Sequence, residues 1–237
     1  MKVAVITPYH DEPDDYLRTC HESVLAQTHP CTHFMVADGR PKELVESWNV
    51  RHVRLPVGCA DYGDTPRGVG SVLAIGQGFD AIAYLDADNW YYPEHIATLV
   101  ALHEATGAAV ISASRNLHRL DGSLLGGCQE SDGKKFVDTN CYFLTRAAFP
   151  IVPVWWMMEP AAHVIDDRVV FLAIKRAGLT HEHSPLRTVA YRTAFKFHYE
   201  RCGETPPPGT KTGKEIWDAL EKIRLQQEAM KAAGDKP

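Results

Sequence analysis

Two aspartates one residue apart, Asp86 and Asp88, close a short apolar run, Ala81-Ile82-Ala83-Tyr84-Leu85, ahead of a polar turn and Pro93. Such a run is the pattern of a buried strand, and strand alternation turns residues i and i+2 the same way. Both carboxylates then point from the carboxyl end of a core strand into the crevice where open α/β sheets bind ligands. Hard oxygen ligands at such a point suit Mg²⁺ or Mn²⁺ carrying a diphosphate. The same residues also fit a strand-end turn in which an aspartate caps a helix beginning near Pro93.

Other residues have chemistry to offer. Arg67, in the glycine-rich stretch 58–78, is suited to pairing with phosphate or with a carboxylate, and equally to open solvent. Asp38, before Gly39, is either an acceptor for a base or ribose or an ordinary turn former. Trp155 and Trp156 stand side by side, fit to stack on a sugar ring or to fill a core.

These groups need strands and helices to carry them. Residues 2–7 are rich in Val and Ile with little alternation, as a strand buried on both faces is. Acidic residues and Pro13 follow, where a helix would start, and Leu17, Cys20, Val24 and Leu25 recur at helical spacing. Residues 33–37 predict a second strand ending at Asp38, and 51–55 a short third. A short helix is expected over 69–75, weakened by Gly68 and Gly70. Ile96, Leu99, Val100 and His103 mark one face of a helix over 94–106 that Gly107 stops. Repeated strand and helix signals predict an α/β fold with a mostly parallel, doubly wound central sheet flanked by helices.

The second half has a different texture. Strands are expected over 108–113, 136–145 and 186–191, with a hairpin at Asp121-Gly122, and an apolar-faced helix begins at Asp166-Asp167 and stops at Gly178. His181 and His183 are expected in a solvated loop. Residues 203–213, with Pro206-Pro207-Pro208, predict a stiff linker, and Ile216, Leu220 and Ile223 mark a C-terminal amphipathic helix that docks on its own domain. The expected organisation is one domain over 1–202, with halves 1–107 and 108–202, then the linker 203–213 and a helix and tail over 214–237.

The 237 residues carry a net charge of −5 with scattered basic residues, which gives neither a nucleic-acid groove nor a polybasic membrane patch. The opening Val-Ile run meets Thr7-Pro8 too early for a signal peptide, and the longest apolar run, 151–158, is too short to span a bilayer and is broken by Pro153. A soluble cytoplasmic protein is therefore expected. Six cysteines without a close pair argue for reduced thiols and against a Cys-x-x-Cys motif.

Taken in order, these segments resemble the family 2 inverting glycosyltransferases of GT-A fold, from Val3 to about His198. Val3-Ala4-Val5-Ile6-Thr7-Pro8-Tyr9-His10 resembles that family's first strand and nucleotide-binding loop. Ser23-Val24-Leu25-Ala26-Gln27-Thr28 is similar to its Ser-(Ile/Val)-Leu-x-Gln-Thr stretch, and Val36-Ala37-Asp38-Gly39 stands where it shows Asp-Asp-Gly-Ser. Thr65-Pro66-Arg67-Gly68 takes the place of its Ala-Arg-Asn segment, and Asp86-Ala87-Asp88 that of its metal-binding Asp-x-Asp.

The resemblance implies a nucleotide-sugar site of Thr7, Pro8, Tyr9, Asp38, Arg67, Asp86, Ala87 and Asp88, with Mn²⁺ or Mg²⁺ as cofactor. Asp88 is expected to ligate the metal, with Asp86 nearer the ribose or reaching the metal through water. His198 lies where some GT-A enzymes place a third ligand, although a lone histidine between aromatics also fits a packed position. Asp166-Asp167 stands where the family has its acidic pair, with Asp167 expected as the general base ahead of Asp166; either could instead cap its helix.

Ala37, Arg40 and Gly68 depart from the family pattern at positions of donor recognition, and no Gln-x-x-Arg-Trp motif occurs. The expectation is a single-sugar, hexosyl or related transferase in the building of a cell-surface glycan. A UDP-sugar is the first donor to consider, then GDP- or dTDP-sugars, with a glycan, a lipid-linked saccharide or a small molecule as acceptor. A retaining transferase and a non-catalytic nucleotide-sugar-binding module are the alternatives, and nucleotidyl transfer a more distant one.

Overall fold

All seven residues of strand β1 (Val3–Tyr9) are buried, as its Val, Ile and Ala content requires of a strand flanked on both sides. The computed structural model describes residues 1–232. In it β1 lies between the parallel strands β2 (Cys31–Ala37) and, further along the chain, residues Ala81–Tyr84, while β3 (Arg51–Arg54) extends the sheet beyond β2. Ala81–Tyr84 is β4, and its register sets Tyr84 beside Ile6, so that the strands of this half end at one edge.

Helices α1 (Asp14–Leu25), α2 (Glu43–Glu46) and α3 (Asp64–Gly76) make the crossovers. Asp14 and Asp15 lie in the first turn of α1, where the helix dipole favours negative charge. Leu17, Cys20 and Val24 of α1 are buried, whereas Leu25 is exposed and lies off the packed face. The third helix is longer than the 69–75 expected, and its glycines are the reason it fits. A Cβ on Gly68 would lie 2.2 Å from Trp156 Cε3, and one on Gly70 2.6 Å from Ile6 Cγ2. Glycine here trades helix propensity for close approach of α3 to the sheet and to the tryptophans.

Beyond β4 the sheet becomes mixed. It contains β5 (Trp90–Tyr91), β6 (Val110–His118), β7 (Leu124–Gly127), β8 (Tyr142–Thr145) and β9 (His181–Arg192). The order is β3-β2-β1-β4-β8-β6-β9-β5, with β7 paired to β6 as the expected hairpin. Strand β8 runs antiparallel to both β4 and β6, and β6 pairs in parallel with β9. Helices α4 (His95–Thr106), α5 (Val154–Met157) and α6 (Asp166–Arg176) cover this half.

Two expectations are corrected here. The strand foreseen over 136–145 shrinks to β8, because Asp138 turns the chain by accepting the Asn140 N–H and pairing with Arg115. His181 and His183 are not in a loop but in β9, where both rings meet the Ser112 hydroxyl, at 2.7 and 2.8 Å. Strand alternation puts them on the same face, so one hydroxyl serves both.

After β9 come α7 (Lys196–Arg201) and α8 (Lys214–Ala232). Ile216, Leu220 and Ile223 are half-buried, and α8 packs on the turn Pro160–Ile165, docking on its own domain. Residues 203–213 are tied down at both ends. Glu204 pairs with Arg119, and the backbone of Lys211 bridges to the chain around Phe195. Residues 233–237 of the tail lie outside the described residues. All six cysteines are free and buried or half-buried. Among the described residues, no helix is long and apolar enough to cross a membrane.

Candidate active site

A cleft of about 620 Å³ opens where β1, β2 and β4 end. That is the size range of small-molecule and cofactor sites. Pro8 and Tyr9 from β1, Asp38 after β2, and Asp86, Ala87 and Asp88 after β4 all line it. Asp38 has one carboxylate oxygen fixed, since Oδ1 accepts the Cys59 N–H at 2.9 Å. Below it, Gly39 (φ +76°) approaches the Gly58 backbone so closely that a Cβ would lie 2.3 Å from Gly58 N.

The far wall is a strained loop. Ala60 and Tyr62 hold φ of 55° and 58°, in the left-handed region that non-glycine residues seldom occupy. Between them Asp61 is buried, with Oδ2 accepting the Thr65 N–H at 2.9 Å and Oδ1 without a hydrogen-bond partner. The loop leads directly into α3 and so delivers Arg67.

Arg67 is 4% exposed and holds three carboxylates at once. Its Nη2 donates to Asp86 Oδ1 at 2.6 Å, and Nη1 donates to Asp64 Oδ1 and to Asp166 Oδ2, each at 3.1 Å. Burial opposes its charge, but Asp86, Asp166 and Asp64 outweigh burial and raise its pKa further. Burial likewise pushes the Asp64 carboxyl up to about 7 even beside Arg67, and the other Asp64 oxygen meets His163 Nδ1 at 2.6 Å. The second Asp86 oxygen accepts from Asn140 Nδ2 at 2.8 Å, and Asn140 Oδ1 accepts the Asp86 N–H at 2.6 Å. Both oxygens of Asp86 are thus engaged and its orientation is fixed.

Asp88 differs. Arg192 reaches its backbone carbonyl, at 2.5 Å, and among the described residues no lysine or arginine pairs with its carboxylate. Burial, then the charges of Asp86 and Glu12, push its carboxyl up to about 7. Arg192 offsets this only in part, and a cleft-lining carboxylate crowded by like charges and without an ion-pair partner fits a hard divalent cation. Asp88 is the residue with ligand capacity to spare, and Asp86 the one committed to protein partners.

A second, smaller cavity of about 120 Å³ lies on the other side of the acidic pair, lined by Arg115, Asp138, Asp167, Tyr191, His198 and Trp217 among others. Asp166 turns to Arg67 and the first cleft, whereas Asp167 opens into this second cavity. Burial raises both carboxyls well above the usual range; Arg67 offsets this for Asp166, while Asp166 and Asp138 add to it for Asp167.

Two expected site residues are placed elsewhere. Thr7 is fully buried under α1, with its hydroxyl 2.9 Å from His33 Nε2 and 3.8 Å from Cys20 Sγ, one residue short of the part of β1 that lines the cleft. His198 does not join Asp86 and Asp88. It is buried in α7 with Nδ1 2.6 Å from Thr193 Oγ1, and its ligand atoms cluster with Cys128 and Glu130 beside the smaller cavity. Burial, reinforced by Arg115, lowers its pKa to about 3. Nor do the tryptophans line the cleft: Trp155 is core, donating to Tyr84 Oη at 3.0 Å, and Trp156 covers Gly68.

Glu12, Asp61 and Lys211 also line the cleft, and Asn140 and Asp64 hold its charges, although none of the five is among the sites expected from the sequence. Only Asp61 and Asp64 carried a signal, as acids in a glycine-rich stretch.

Comparison with known proteins bears on the family and the fold. The model of the family described as Glycosyl transferase family 2 matches residues 4–151. No curated protein matches the sequence significantly. Among solved structures, S. aureus TarS 1-349 in complex with UDP is similar, with a TM-score of 0.61 and 13% identity over 85% of this chain and 63% of that one. The same protein in complex with UDP-GlcNAc gives a TM-score of 0.60 and 14% identity over 84% of this chain and 64% of that one. The chain therefore spans less than two thirds of the length of TarS 1-349, and at this identity the likeness is one of fold. Nearly all of strand β1, Arg67 and the Asp86–Asp88 turn fall within the segment that the family model matches, which is well over half of the sequence, and the chain belongs to glycosyl transferase family 2.

Proposed function

We propose that this protein moves one sugar from a nucleoside diphosphate sugar to a hydroxyl acceptor with inversion, assisted by Mn²⁺ or Mg²⁺. The observation that carries this reading is the position of the acidic pair: Asp166 is tied through Arg67 to Asp86 at the larger cleft, and Asp167 faces the second cavity. A donor in the first would meet, at this wall, an acceptor hydroxyl reaching into the second, which at about 120 Å³ has room for the reacting group and not for a whole saccharide.

The larger cleft has the volume for a nucleotide sugar, and Asp38 can accept a hydrogen bond from base or ribose. The UDP and UDP-GlcNAc complexes of TarS favour a uracil nucleotide as the first donor to test, before GDP- and dTDP-sugars. Asp88, with Asp86 behind it, would hold the cation, which supplies charge stabilisation for the diphosphate leaving group. Arg67 cannot serve as a freely movable phosphate clamp, because three carboxylates already hold it. Its part is to fix Asp86 and Asp166.

Asp167 is the general base of this reading. As the acceptor oxygen bonds to the anomeric carbon, its proton passes to Asp167 and the electron pair of the breaking C–O bond leaves with the diphosphate. A raised pKa suits that role, because a stronger base gains more from the transfer. Asp166 acts through Arg67 as a positioning residue. The acceptor class is a glycan, a lipid-linked saccharide or a small molecule.

The test is UDP release from a panel of UDP-sugars with Mn²⁺ and saccharide acceptors, followed by NMR of the product's anomeric configuration. Transfer with inversion supports the proposal. Transfer with retention removes Asp167 as the base, and donor binding without transfer to any acceptor leaves only a binding module.

A further inference from the structure

The larger cleft is crowded with acids and short of available positive charge. Glu12, Asp38, Asp61, Asp86 and Asp88 line it, against Arg67 and Lys211. Arg67 is buried and both its Nη groups already donate to carboxyls, Nη2 to Asp86 and Nη1 to Asp64 and Asp166, before any ligand arrives. Lys211 is exposed, and among the described residues its ammonium has no ion-pair or hydrogen-bond partner.

An exposed lysine in a loop is ordinarily a solvated side chain. Lys211 differs in that the fold fixes its backbone. Its N–H donates to the Ala194 carbonyl at 2.7 Å, and its own carbonyl accepts the Lys196 N–H at 2.8 Å. The two bonds clamp this residue against the chain leaving β9, while the Glu204–Arg119 ion pair anchors the other end of the loop. The Lys211 Nζ lies 5.8 Å from the centroid of the Phe195 ring, a long cation–π contact that a phosphate oxygen would readily replace. A segment that looks like a spacer thus brings a mobile cation to the rim of the cleft and holds its root there.

From this we infer that Lys211 binds the diphosphate of the nucleotide ligand, supplying the cationic contact that Arg67 is not free to make. The inference rests on the proposed nucleotide-sugar reading and adds a residue to it. Lysine suits the task as a compact point charge on a flexible stem, able to follow the leaving group as its charge grows. Because the contact is to phosphate, it is indifferent to the base and to the sugar.

The experiment is calorimetric titration of UDP and of UMP, with Mn²⁺, into the wild type, Lys211→Gln and Lys211→Arg, repeated with GDP and dTDP if UDP does not bind. The expected result is that Lys211→Gln weakens the nucleoside diphosphate roughly tenfold, the loss of one charge-assisted hydrogen bond. UMP should lose less, and Lys211→Arg should retain most of the affinity. Unchanged diphosphate affinity in Lys211→Gln overturns this inference and leaves the nucleotide-sugar reading standing. Absence of binding by the wild type to UDP, GDP and dTDP overturns both. The side chain is exposed, so unchanged unfolding midpoints are expected for both variants.

Discussion

Arg67 donates from Nη2 to Oδ1 of Asp86 across 2.6 Å, joining the first turns of α3 to the end of β4. The same guanidinium holds Asp64 and Asp166, so one side chain sets the relation of the nucleotide half of the sheet to the acidic pair on α6. Buried pairs of this kind are costly to break from one side, because the partners are left charged and dry.

Replacing Arg67 with Met should therefore destabilise the protein by about 3–5 kcal/mol. Urea denaturation measures this, and a loss below about 1 kcal/mol, the size expected of an exposed pair, would show that the clamp is not buried in solution.

The glycines of α3 predict opposite outcomes along one helix. Gly70→Ala puts a carbon 2.6 Å from Ile6 Cγ2 and should cost roughly 1–3 kcal/mol despite alanine's better helix propensity. Gly76→Ala, with nothing within 4 Å of the added carbon, should gain about 0.5–1 kcal/mol. Denaturation midpoints of the two variants decide this, and equal midpoints would mean that α3 does not pack so closely on β1.

His95 is fully buried against Tyr91, with Nδ1 2.7 Å from Thr188 Oγ1, and burial lowers its pKa to about 3. A folded pKa below the unfolded value means that its contribution to stability is complete above about pH 6.5. It is lost as pH falls, by about 1.4 kcal/mol per pH unit until the folded pKa is reached. Wild type should lose stability more steeply than His95→Gln between pH 6.5 and 4. The His95 ring should stay neutral by NMR at pH 5, and a ring titrating near 6.5 would contradict its burial.

Asp167 has a carboxyl raised by burial and by its acidic neighbours. In the proposed reaction it must be ionised, so kcat/KM should rise with pH through a group titrating above the ordinary carboxylate range. Asp167→Asn should lower kcat by about 10²–10⁴-fold with little change in UDP affinity. Loss of UDP binding in that variant would assign Asp167 to the donor site instead.

Local pattern carried much of this molecule. The apolar run into Asp86 and Asp88, the Val-Ile strand at the start and the acidic opening of α6 each declare themselves within a few residues. What was not readable depends on partners far away in sequence. Gly68 and Gly70 look like helix breakers until Trp156 and Ile6 are found against them. Thr7 sits in the matching motif but faces His33, and His198 has the right residue type but turns to Thr193, Cys128 and Glu130. Lys211, behind three prolines, gives no signal at all until the backbone bridge to Phe195 returns it to the cleft.

The most direct test of the account is calorimetric titration of UDP into wild type and Asp88→Asn, with and without Mn²⁺. Asp88 has the carboxylate without a cation of its own, so UDP should bind the wild type only weakly without metal and much more tightly with it. Asp88→Asn should abolish the difference. Metal-independent binding of equal strength in both proteins would contradict the placement of the cation, and no binding of UDP, GDP or dTDP to the wild type would contradict the donor site itself.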